Sequence, residues 1–460
     1  MTHLSQQPLS PLDGRYRESV SGLGERLSEA ALNRARISVE IEWLIFLTDR
    51  RMFGTSPLSD SHKMTLRRIV GDFGDGDIRE LAELEATTRH DVKAVEYFVR
   101  RRLEALRLTG ISELVHFAAT SEDINNIAYA LCIDSALREV WLPKFRDVIR
   151  TLRNLALQHR SLPMLAHTHG QAATPTTVGK EFAVFVHRLG RVAEQIDATE
   201  SFAKFSGATG TFAAHQEADP TADWPVLSRT FVESLGLTWN PLTTQIESHD
   251  WQAELYSRIS HANRILHNLC TDVWTYISMG YITQVPIEGA TGSSTMPHKV
   301  NPIRFENAEA NLELSSAILD SLAATLVTSR LQRDLTDSSA QRNIGVGLGH
   351  SLLALDNILR GLGEIALNEQ RLAADLDANW EVLAEAIQTV IRAEITAGRS
   401  SITDPYALLK ELTRGRRVGQ MELAEFISTL DIGADAKVRL LELAPSTYVG
   451  VASRLVDFLD

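Results

Sequence analysis

A glycine-hinged segment, residues 292–302, concentrates groups that could bind or deprotonate an anionic ligand. It carries the hydroxyls of Ser293 and Ser294, the ammonium group of Lys299 and the amide of Asn301. Its two prolines exclude a regular helix, and its apolar residues do not alternate as in a half-buried strand. The segment therefore predicts a loop that offers several hydrogen-bond donors to an anion.

A second segment, residues 167–175, contains two histidines next to Gly170. Because imidazole titrates near pH ~6.5, His169 or His167 could give or take a proton at neutral pH. An isolated loop histidine, however, is often only exposed or hydrogen-bonded. Metal binding by the pair at i and i+2 is a further alternative, but no nearby cysteine or histidine completes a zinc pattern.

A third segment places Thr120 and Ser121 before a helical pattern that begins near Asp123. Hydroxyls in this position commonly only cap the helix. The free N–H groups and the positive end of the helix dipole also suit a carboxylate ligand. His116 lies just before this turn and could simply pack beneath it. Two more polar segments, residues 13–16 and 88–92, contribute Arg15, Tyr16, Arg89, His90 and Asp91.

The elements that must position these groups are predicted to be helices. Apolar residues recur in alternating steps of four and three at Leu255, Ile259, Ala262, Leu266, Leu269, Val273 and Tyr276. Such a seam is typical of a long helix in a bundle. Residues 141–157, 182–196 and 305–326 show similar spacing, whereas no Asn-Gly hairpin signal and no series of alternating strands is visible. The sequence predicts an almost all-α protein with a central bundle of long helices.

Polar, glycine- or proline-bearing segments predict where the helices are interrupted. These loops fall at residues 71–77, 218–225, 238–250 and 399–405. Soft boundaries near residues 112 and 365 give an N-terminal helical domain (1–112), a central long-helix bundle (113–365) and a C-terminal helical domain (366–460).

Composition limits the classes of function. The chain has 460 residues, of which 44% are hydrophobic and 23% charged, as in ordinary globular proteins. A net charge of −13 argues against nucleic-acid binding. No apolar run predicts a membrane span, and residues 1–11 do not resemble a signal peptide. Cys132 and Cys270 are expected to be buried, reduced thiols, so a cytoplasmic location is the expectation. No phosphate-binding or dinucleotide-binding glycine motif appears, and we expect neither a metal nor an organic cofactor.

In order along the chain, residues 120–123, 168–172 and 292–301 resemble the three signature regions of the fumarase/aspartase superfamily. Members of that superfamily eliminate fumarate from a substituted succinate. The resemblance implies a long central helical bundle flanked by two smaller helical domains. It also implies a homotetramer in which each active site is built from three subunits.

The purine-biosynthetic branch of that superfamily, in its longer bacterial form, is similar over nearly the whole chain. Segments 10–16, 88–97, 239–247, 329–338, 379–385 and 410–415 carry this resemblance, although Ala172 and Ala173 stand where many relatives have proline after the glutamine. The resemblance implies anti β-elimination of fumarate from adenylosuccinate, giving AMP, and from succinylaminoimidazole carboxamide ribotide, giving AICAR. The alternatives are another fumarate-releasing lyase of the superfamily and a non-catalytic structural homologue.

The resemblance also implies roles for individual residues. His169 looks like the general acid and Ser293 like the base. Ser294, Thr120, Ser121, Lys299 and Asn301 look like binders of the succinyl carboxylates, and Gln245 like a residue that orients the substrate. The nucleotide contacts would come from Arg15, Tyr16, Arg333, Ser338 and Arg342. Arg89, His90 and Asp91 would line the same site. Asn307, which follows the signature loop, would also bind the substrate. The arginines and Lys299 would offset a substrate with about four negative charges.

Overall fold

The computed structural model describes residues 8–285, 296, 299–413 and 418–459. Within these residues helices predominate, which confirms the all-α prediction. The helices of the first half are α1 (Arg17–Leu27), α2 (Glu29–Asp49), α3 (Asp60–Gly71), α4 (Asp75–Thr88), α5 (Asp91–Ala105), α6 (Ser121–Ala136), α7 (Leu142–Gln158), α8 (Val178–Asp197), α9 (Ala213–Ala218) and α10 (Trp224–Ser234).

The helices of the second half include the longest ones. They are α11 (Asp250–Ser278), α12 (Ile303–Leu326), α13 (Thr336–Gln341), α14 (Ile344–Gly363), α15 (Glu369–Asp377), α16 (Ala384–Thr396), α17 (Pro405–Thr413), α18 (Gln420–Thr429), α19 (Ala434–Leu441) and α20 (Ala452–Leu455). Short 3-10 helices span Met52–Gly54, Thr109–Leu114, Trp380–Leu383 and Val456–Leu459, and Leu137–Trp141 is a π-helical turn before α7.

Six short strands form three two-stranded pairs among the described residues. The strands are β1 (Pro163–Thr168), β2 (Gln171–Thr177), β3 (Phe202–Ala203), β4 (Thr238–Trp239), β5 (Ile282–Gln284) and β6 (Ile365–Leu367). β1 pairs with β2 and β5 with β6 in antiparallel fashion, while β3 and β4 are parallel. The β1–β2 hairpin was not expected from the sequence.

The predicted heptad seam lies on α11, which has 29 residues. Its members from Leu255 to Val273 are all buried, which confirms the prediction. The helices predicted at residues 141–157, 182–196 and 305–326 correspond to α7, α8 and α12. One loop prediction was wrong in part: α4 begins at Asp75, because Asp75 and Asp77 in its first turn favour a helix N-terminus and Asp77 accepts a hydrogen bond from the N–H of Gly74.

The chain folds into two compact units, each assembled from separate segments. The first contains Met1–Phe145, Val192–His267 and Ala308–Asp356, and the second contains Arg146–Arg191, Asn268–Asn307 and Asn357–Asp460. The three-domain division at residues 112 and 365 stays a prediction. In the part of the chain that the structure describes, no helix is long and apolar enough to cross a membrane.

Buried aromatic and polar contacts hold the first unit together. The rings of Trp43 and Phe205 lie 4.2 Å apart, and both contact Phe231. Farther along the bundle, buried Asn263 on α11 donates to Ser315 on α12 and accepts a hydrogen bond from Ser351 on α14. Because each buried polar group has a partner, this network fixes the register of the three helices.

In the second unit, the C-terminal helices share an apolar core that includes Leu383, Ile391 and Leu423. The β1–β2 hairpin packs against α15 and the turn Trp380–Leu383. Leu165 of β1 is buried with Leu376 and Val382. An isolated two-stranded hairpin is only marginally stable and needs further strands or helices to pack against. In this unit helices provide that support.

Candidate active site

The first compact unit brings four predicted site residues into one hydrogen-bonded group. We call it the arginine cluster. Its members are Arg36, Asp91, Glu122, Asn125, Arg333, Asp337, Ser338 and Arg342.

Arg333, just before α13, has both terminal amino groups engaged. Its Nη1 lies 2.6 Å from each carboxylate oxygen of Asp337. Its Nη2 donates to Glu122 Oε1 at 3.0 Å and to Ser338 Oγ at 2.9 Å. The two carboxylates are buried, so the guanidinium is held in one orientation.

Buried Arg36 links this region to the start of α5. Its Nη2 lies 2.8 Å from Asp91 Oδ2 and its Nε donates to Asn125 Oδ1 at 2.9 Å. Asn125 in turn donates to Glu122 Oε1 at 2.8 Å. Burial alone would raise the pKa of Asp91, but Arg36, the N–H of Val92 and Arg342 lower it below the ordinary value. Asp91 is therefore ionised and orients the arginines on either side.

Arg342 lies at the edge of the cluster and is about two-fifths exposed. One of its amino groups contacts Glu29, and Nη2 lies 3.4 Å from Asp91 Oδ2. The predicted residues Arg333, Ser338, Asp91 and Arg342 are thus joined in one region of the first unit. An anionic group could approach from the Arg342 side, where the guanidinium meets solvent.

His249 extends the cluster into the core. Its Nε2 lies 3.2 Å from Asp337 Oδ2, while Gln252 and Gln341 face its Nδ1 at 3.3 and 3.4 Å. Burial alone would raise the pKa of Asp337, but the hydrogen bond from His249 and the charge of Arg333 lower it. The Asp337 carboxylate is therefore fixed between an imidazole and a guanidinium.

Arg89 and His90 lie between α4 and α5, and both are exposed. Arg89 adopts a left-handed conformation with φ 51° at the end of α4. His90 caps α5, since its Nδ1 accepts the N–H of Lys93 at 3.2 Å. Nδ1 acts as an acceptor there, so the neutral ring carries its proton on Nε2.

Thr120 is the N-cap of α6, which begins at Ser121, two residues before the predicted start near Asp123. The N–H of Thr120 donates to Asp123 Oδ2 at 2.8 Å, and the N–H of Asp123 donates back to the Thr120 carbonyl at 2.9 Å. Thr120 and Ser121 are partly exposed, so their hydroxyls and the first helical N–H groups can meet a ligand. The preceding loop is anchored to the core by Trp43, whose Nε1 donates to the Phe117 carbonyl at 3.1 Å.

His116 is held by buried Glu40 on α2. Its Nδ1 lies 2.6 Å from Glu40 Oε1, and its backbone N–H donates to Oε2 at 2.8 Å. Its φ of 58° is left-handed, as is the φ of 56° at Ala118. Burial alone would lower the pKa of His116, but the Glu40 carboxylate raises it above the ordinary value. His116 therefore packs beneath the Thr120 turn as one half of an ion pair.

This pair gives a pH-dependent prediction. Because the folded pKa of His116 is raised, the pair stabilises the protein fully below the ordinary histidine pKa of ~6.5, and this contribution is lost as pH rises through the folded pKa. We expect Glu40→Gln to lower the melting temperature more at about pH 6 than at about pH 9. Glu42→Gln on the same helix is the matched control, because its partner Arg67 does not titrate in this range. An equal effect of Glu40→Gln at both pH values would contradict the prediction.

Gln245 lies in the loop between β4 and α11. Its Nε2 donates to the Ala208 carbonyl at 2.9 Å, and its N–H donates to the Gln332 carbonyl at 3.3 Å. The neighbouring backbone is tightly packed: a Cβ on Gly210 would lie 2.2 Å from the Thr243 carbonyl oxygen. Gln245 is thereby tied to the residue that precedes Arg333.

Arg15 and Tyr16 lie just before α1. Arg15 is exposed, with its Cζ 5.7 Å from the centre of the Tyr16 ring. A groove in the first unit is lined by Asp13, Arg17 and residues of α1, together with Asp75 and Arg342. Arg15 and Tyr16 therefore lie in the chain between two residues that line the same groove as Arg342, although their own side chains are not part of its lining.

In the second unit, His169 lies at the tip of the hairpin. Thr168 pairs with Gln171, and His169 and Gly170 form the two-residue turn with φ of 53° and 73°. Two successive left-handed residues are the signature of a type I′ turn. The His169 side chain is exposed, as the prediction of a position outside a helix requires. His167 is also exposed and its ring centre lies 6.3 Å from that of Tyr281.

Lys299, Asn301 and Asn307 also belong to the second unit, whereas Ser293 and Ser294 lie outside the described residues. Lys299 is exposed, and the following carbonyl, that of Val300, accepts a hydrogen bond from Gln284 Nε2 at 2.7 Å. Asn301 accepts the N–H of Ile303 at 2.8 Å, immediately before α12. Asn307 follows in the second turn of α12.

Sequence reasoning missed several residues that organise these groups. Arg36 and Glu40 interrupt the apolar pattern of α2, and a buried charge inside such a pattern was the available signal. Glu122 and Asn125 lie inside the segment already selected around Thr120. Among the described residues, no group of three or more His, Cys, Asp or Glu side chains could hold a metal ion.

Comparison with known families gives the class of this chain, which is that of a lyase. The family model described as "Lyase" matches residues 14–314. A fumarate lyase from Mesorhizobium sp. BNC1 superposes with a TM-score of 0.75 at 18% identity, covering 95% of this chain and 97% of that one. A 3-carboxy-cis,cis-muconate lactonizing enzyme from Pseudomonas putida gives 0.72 at 20% identity, covering 95% and 96%. At this identity the two structures support the shared fold alone.

The remaining comparisons identify the family to which this chain belongs among the lyases. The model described as "Adenylosuccinate lyase C-terminal" matches residues 329–449. The chain is 45% identical over 454 residues to adenylosuccinate lyase of Haemophilus influenzae, and 46% identical over 453 residues to that of Escherichia coli strain K12. In both cases 98% of each chain is covered. The chain belongs to the adenylosuccinate lyase family.

Proposed function

We propose that this chain cleaves the carbon–nitrogen bond of adenylosuccinate by anti β-elimination, releasing fumarate and AMP. The same chemistry on succinylaminoimidazole carboxamide ribotide gives fumarate and AICAR. Both substrates present a phosphate and two carboxylates, so the site must gather cations in a chain whose net charge is −13.

The elimination needs a base, an acid and donors for a developing dianion. Ser293 removes the proton next to a succinyl carboxylate, and the electron pair moves into that carboxylate. Lys299, Asn301 and Ser294, with Thr120 and Ser121 at the start of α6, hold the carboxylates and stabilise the added charge.

The electron pair then returns to form the carbon–carbon double bond of fumarate as the carbon–nitrogen bond breaks, and the departing nitrogen takes its proton from His169. A serine alone is a weak base, so its oxyanion must be stabilised by the donors of its own loop. Gln245 orients the substrate between the two reacting ends. No step requires a metal or an organic cofactor.

The observation that carries the proposal is the arginine cluster. Arg333 and Arg342 are oriented by Glu122, Asp337 and Asp91, so they are fixed before a ligand arrives. Because a planar guanidinium suits phosphate oxygens, we expect a phosphate-bearing substrate to bind better than argininosuccinate, malate or aspartate. Arg15 and Tyr16 complete the phosphate side, and Arg89 and His90 flank it.

The test is a spectrophotometric assay of the purified protein with adenylosuccinate, run beside argininosuccinate, malate and aspartate. We expect AMP and fumarate to form from adenylosuccinate and no turnover of the other three. Turnover of another succinyl compound alone would assign the chain to a sister lyase. No turnover of any of them would favour a structural homologue.

The proposed assembly is a homotetramer in the cytoplasm, with each active site shared between subunits. Apolar side chains on the long helices, Leu314, Ile303 and Trp274, are 51%, 59% and 42% exposed in the single chain, which supports helix-to-helix association. Light scattering should give four times the 51.0 kDa of one chain. A mass of one chain would contradict the proposal.

A further inference from the structure

A fully buried ion pair lies behind the Thr120 turn. Lys204 Nζ is 2.8 Å from Asp123 Oδ1, and both side chains are 0% exposed. Nζ also lies 3.4 Å from the Gly207 carbonyl oxygen. Because substrate cannot reach Lys204, any effect of this residue on the reaction must pass through the groups it holds.

The Asp123 carboxylate connects two chain segments. Besides Lys204, it accepts the N–H of Thr120 at 2.8 Å, of Ser206 at 2.8 Å and of Gly207 at 3.0 Å. One carboxylate thus ties the first turn of α6 to residues 204–207. Without the Lys204 cation, its negative charge would remain buried in that contact.

Asn126, about one helical turn after Asp123, also connects α6 to the segment of residues 204–207. Its Oδ1 accepts the N–H of Lys204 at 2.8 Å, and its Nδ2 donates to the Lys204 carbonyl at 3.0 Å. The backbone of Lys204 is therefore held on both sides while its side chain reaches Asp123. Gly207, with a left-handed φ of 80°, packs against the ring of His215, whose nitrogens have no hydrogen-bond partner among the described residues.

The held segment continues directly to a predicted substrate-orienting residue. Ala208 follows Gly207, and its carbonyl accepts the hydrogen bond from Gln245 Nε2 at 2.9 Å. The path from Thr120 through Asp123 and Gly207 to Gln245 lies entirely within the first compact unit. A well-packed apolar pair could stabilise this position equally well, so the buried charges are better explained by the register they impose.

We propose that Lys204 is a positioning residue of the elimination reaction: through Asp123 it fixes the Thr120–Ser121 turn relative to Gln245. This inference rests on the proposed function, because it assigns these groups to the succinyl part of adenylosuccinate. A displacement of one group by about 1 Å lowers the rate of an oriented reaction about 100-fold.

The experiment compares Lys204→Met with the double variant Lys204→Met/Asp123→Asn. The single variant leaves a buried carboxylate without its cation, so its melting temperature falls. The double variant removes both charges and recovers part of that loss. We nevertheless expect kcat/KM for adenylosuccinate to stay about 100-fold below wild type in the double variant, with KM raised and kcat lowered.

Lys144→Met is the matched control, because Lys144 is a partly exposed lysine of the same unit and pairs with Asp356 rather than with Asp123. It should retain the wild-type kcat/KM. A folded Lys204→Met or double variant with wild-type kcat and KM would overturn the proposal, since a purely structural residue changes only the melting temperature.

If no variant folds, the proposal can be tested by amide hydrogen exchange on the wild-type protein. The N–H groups of Thr120, Ser206 and Gly207 should be protected without any nucleotide, because Asp123 already binds them. Rapid exchange of all three would overturn the proposal. If the wild type does not turn over adenylosuccinate, the proposed function fails, whereas normal turnover with unaffected variants rejects Lys204 alone.

Discussion

His169→Asn is expected to lower kcat for adenylosuccinate by about 100-fold to 10,000-fold, the range that a positioned general acid contributes. Asparagine is the substitution of choice because residue 169 has a left-handed φ of 53° and precedes Gly170. Asn-Gly is the favoured sequence for a type I′ turn, so the hairpin should keep its geometry. The loss would then report the missing proton donor rather than a distorted backbone.

The control for this variant lies two residues earlier. His167 is exposed on β1 and outside the turn, so His167→Asn should keep kcat within a few-fold of wild type. Steady-state kinetics and far-ultraviolet circular dichroism on both variants make the comparison. A His169→Asn enzyme with nearly wild-type kcat would exclude His169 as the acid. Ser293→Ala should lose activity to a similar extent. The loss in the double variant should be smaller than the two single losses combined, because the acid and the base serve the same elimination.

The long helices could be predicted from sequence because their signal is local. The seam from Leu255 to Tyr276 repeats with the period of a helix, and burial of one face is what makes such a helix stable. The hairpin was missed because a His-Gly turn is a weaker signal than Asn-Gly, and because its strands are stabilised by α15 and the Trp380 turn rather than by a sheet.

Candidate site residues could be selected from the sequence, but the hydrogen bonds and ion pairs between them could not. Arg333 and Ser338 stand in a recognisable segment, yet Arg333 contacts Glu122 across 211 positions of the chain. The sequence did not indicate that Lys204 is buried, because no local pattern distinguishes a buried lysine from a solvent-exposed one. Which carboxylate holds which cation is decided by tertiary packing, and a single sequence does not encode it in any short-range pattern.

Arg333→Met is expected to raise KM for adenylosuccinate and to destabilise the protein at the same time. Loss of a charge-assisted hydrogen bond costs about 1.5–3 kcal/mol, which corresponds to a KM roughly 10-fold to 150-fold higher. The variant also leaves Glu122 and Asp337 buried without their shared cation. That should cost about 3 kcal/mol of unfolding free energy, at the lower end for a broken buried pair, because Asn125 and His249 still contact the carboxylates.

A second substitution separates the two effects of Arg333. Glu122→Gln in the Arg333→Met background removes one uncompensated charge, so urea denaturation should show recovered stability while KM stays high. Arg330→Met is the control, because its ion pair with Asp334 lies at the surface, where solvent screens the two charges. If the double variant recovered both stability and KM, Arg333 would serve only to balance Glu122 and Asp337. If stability returns and KM does not, the guanidinium itself contacts the substrate, and the buried carboxylates keep it oriented for a phosphate.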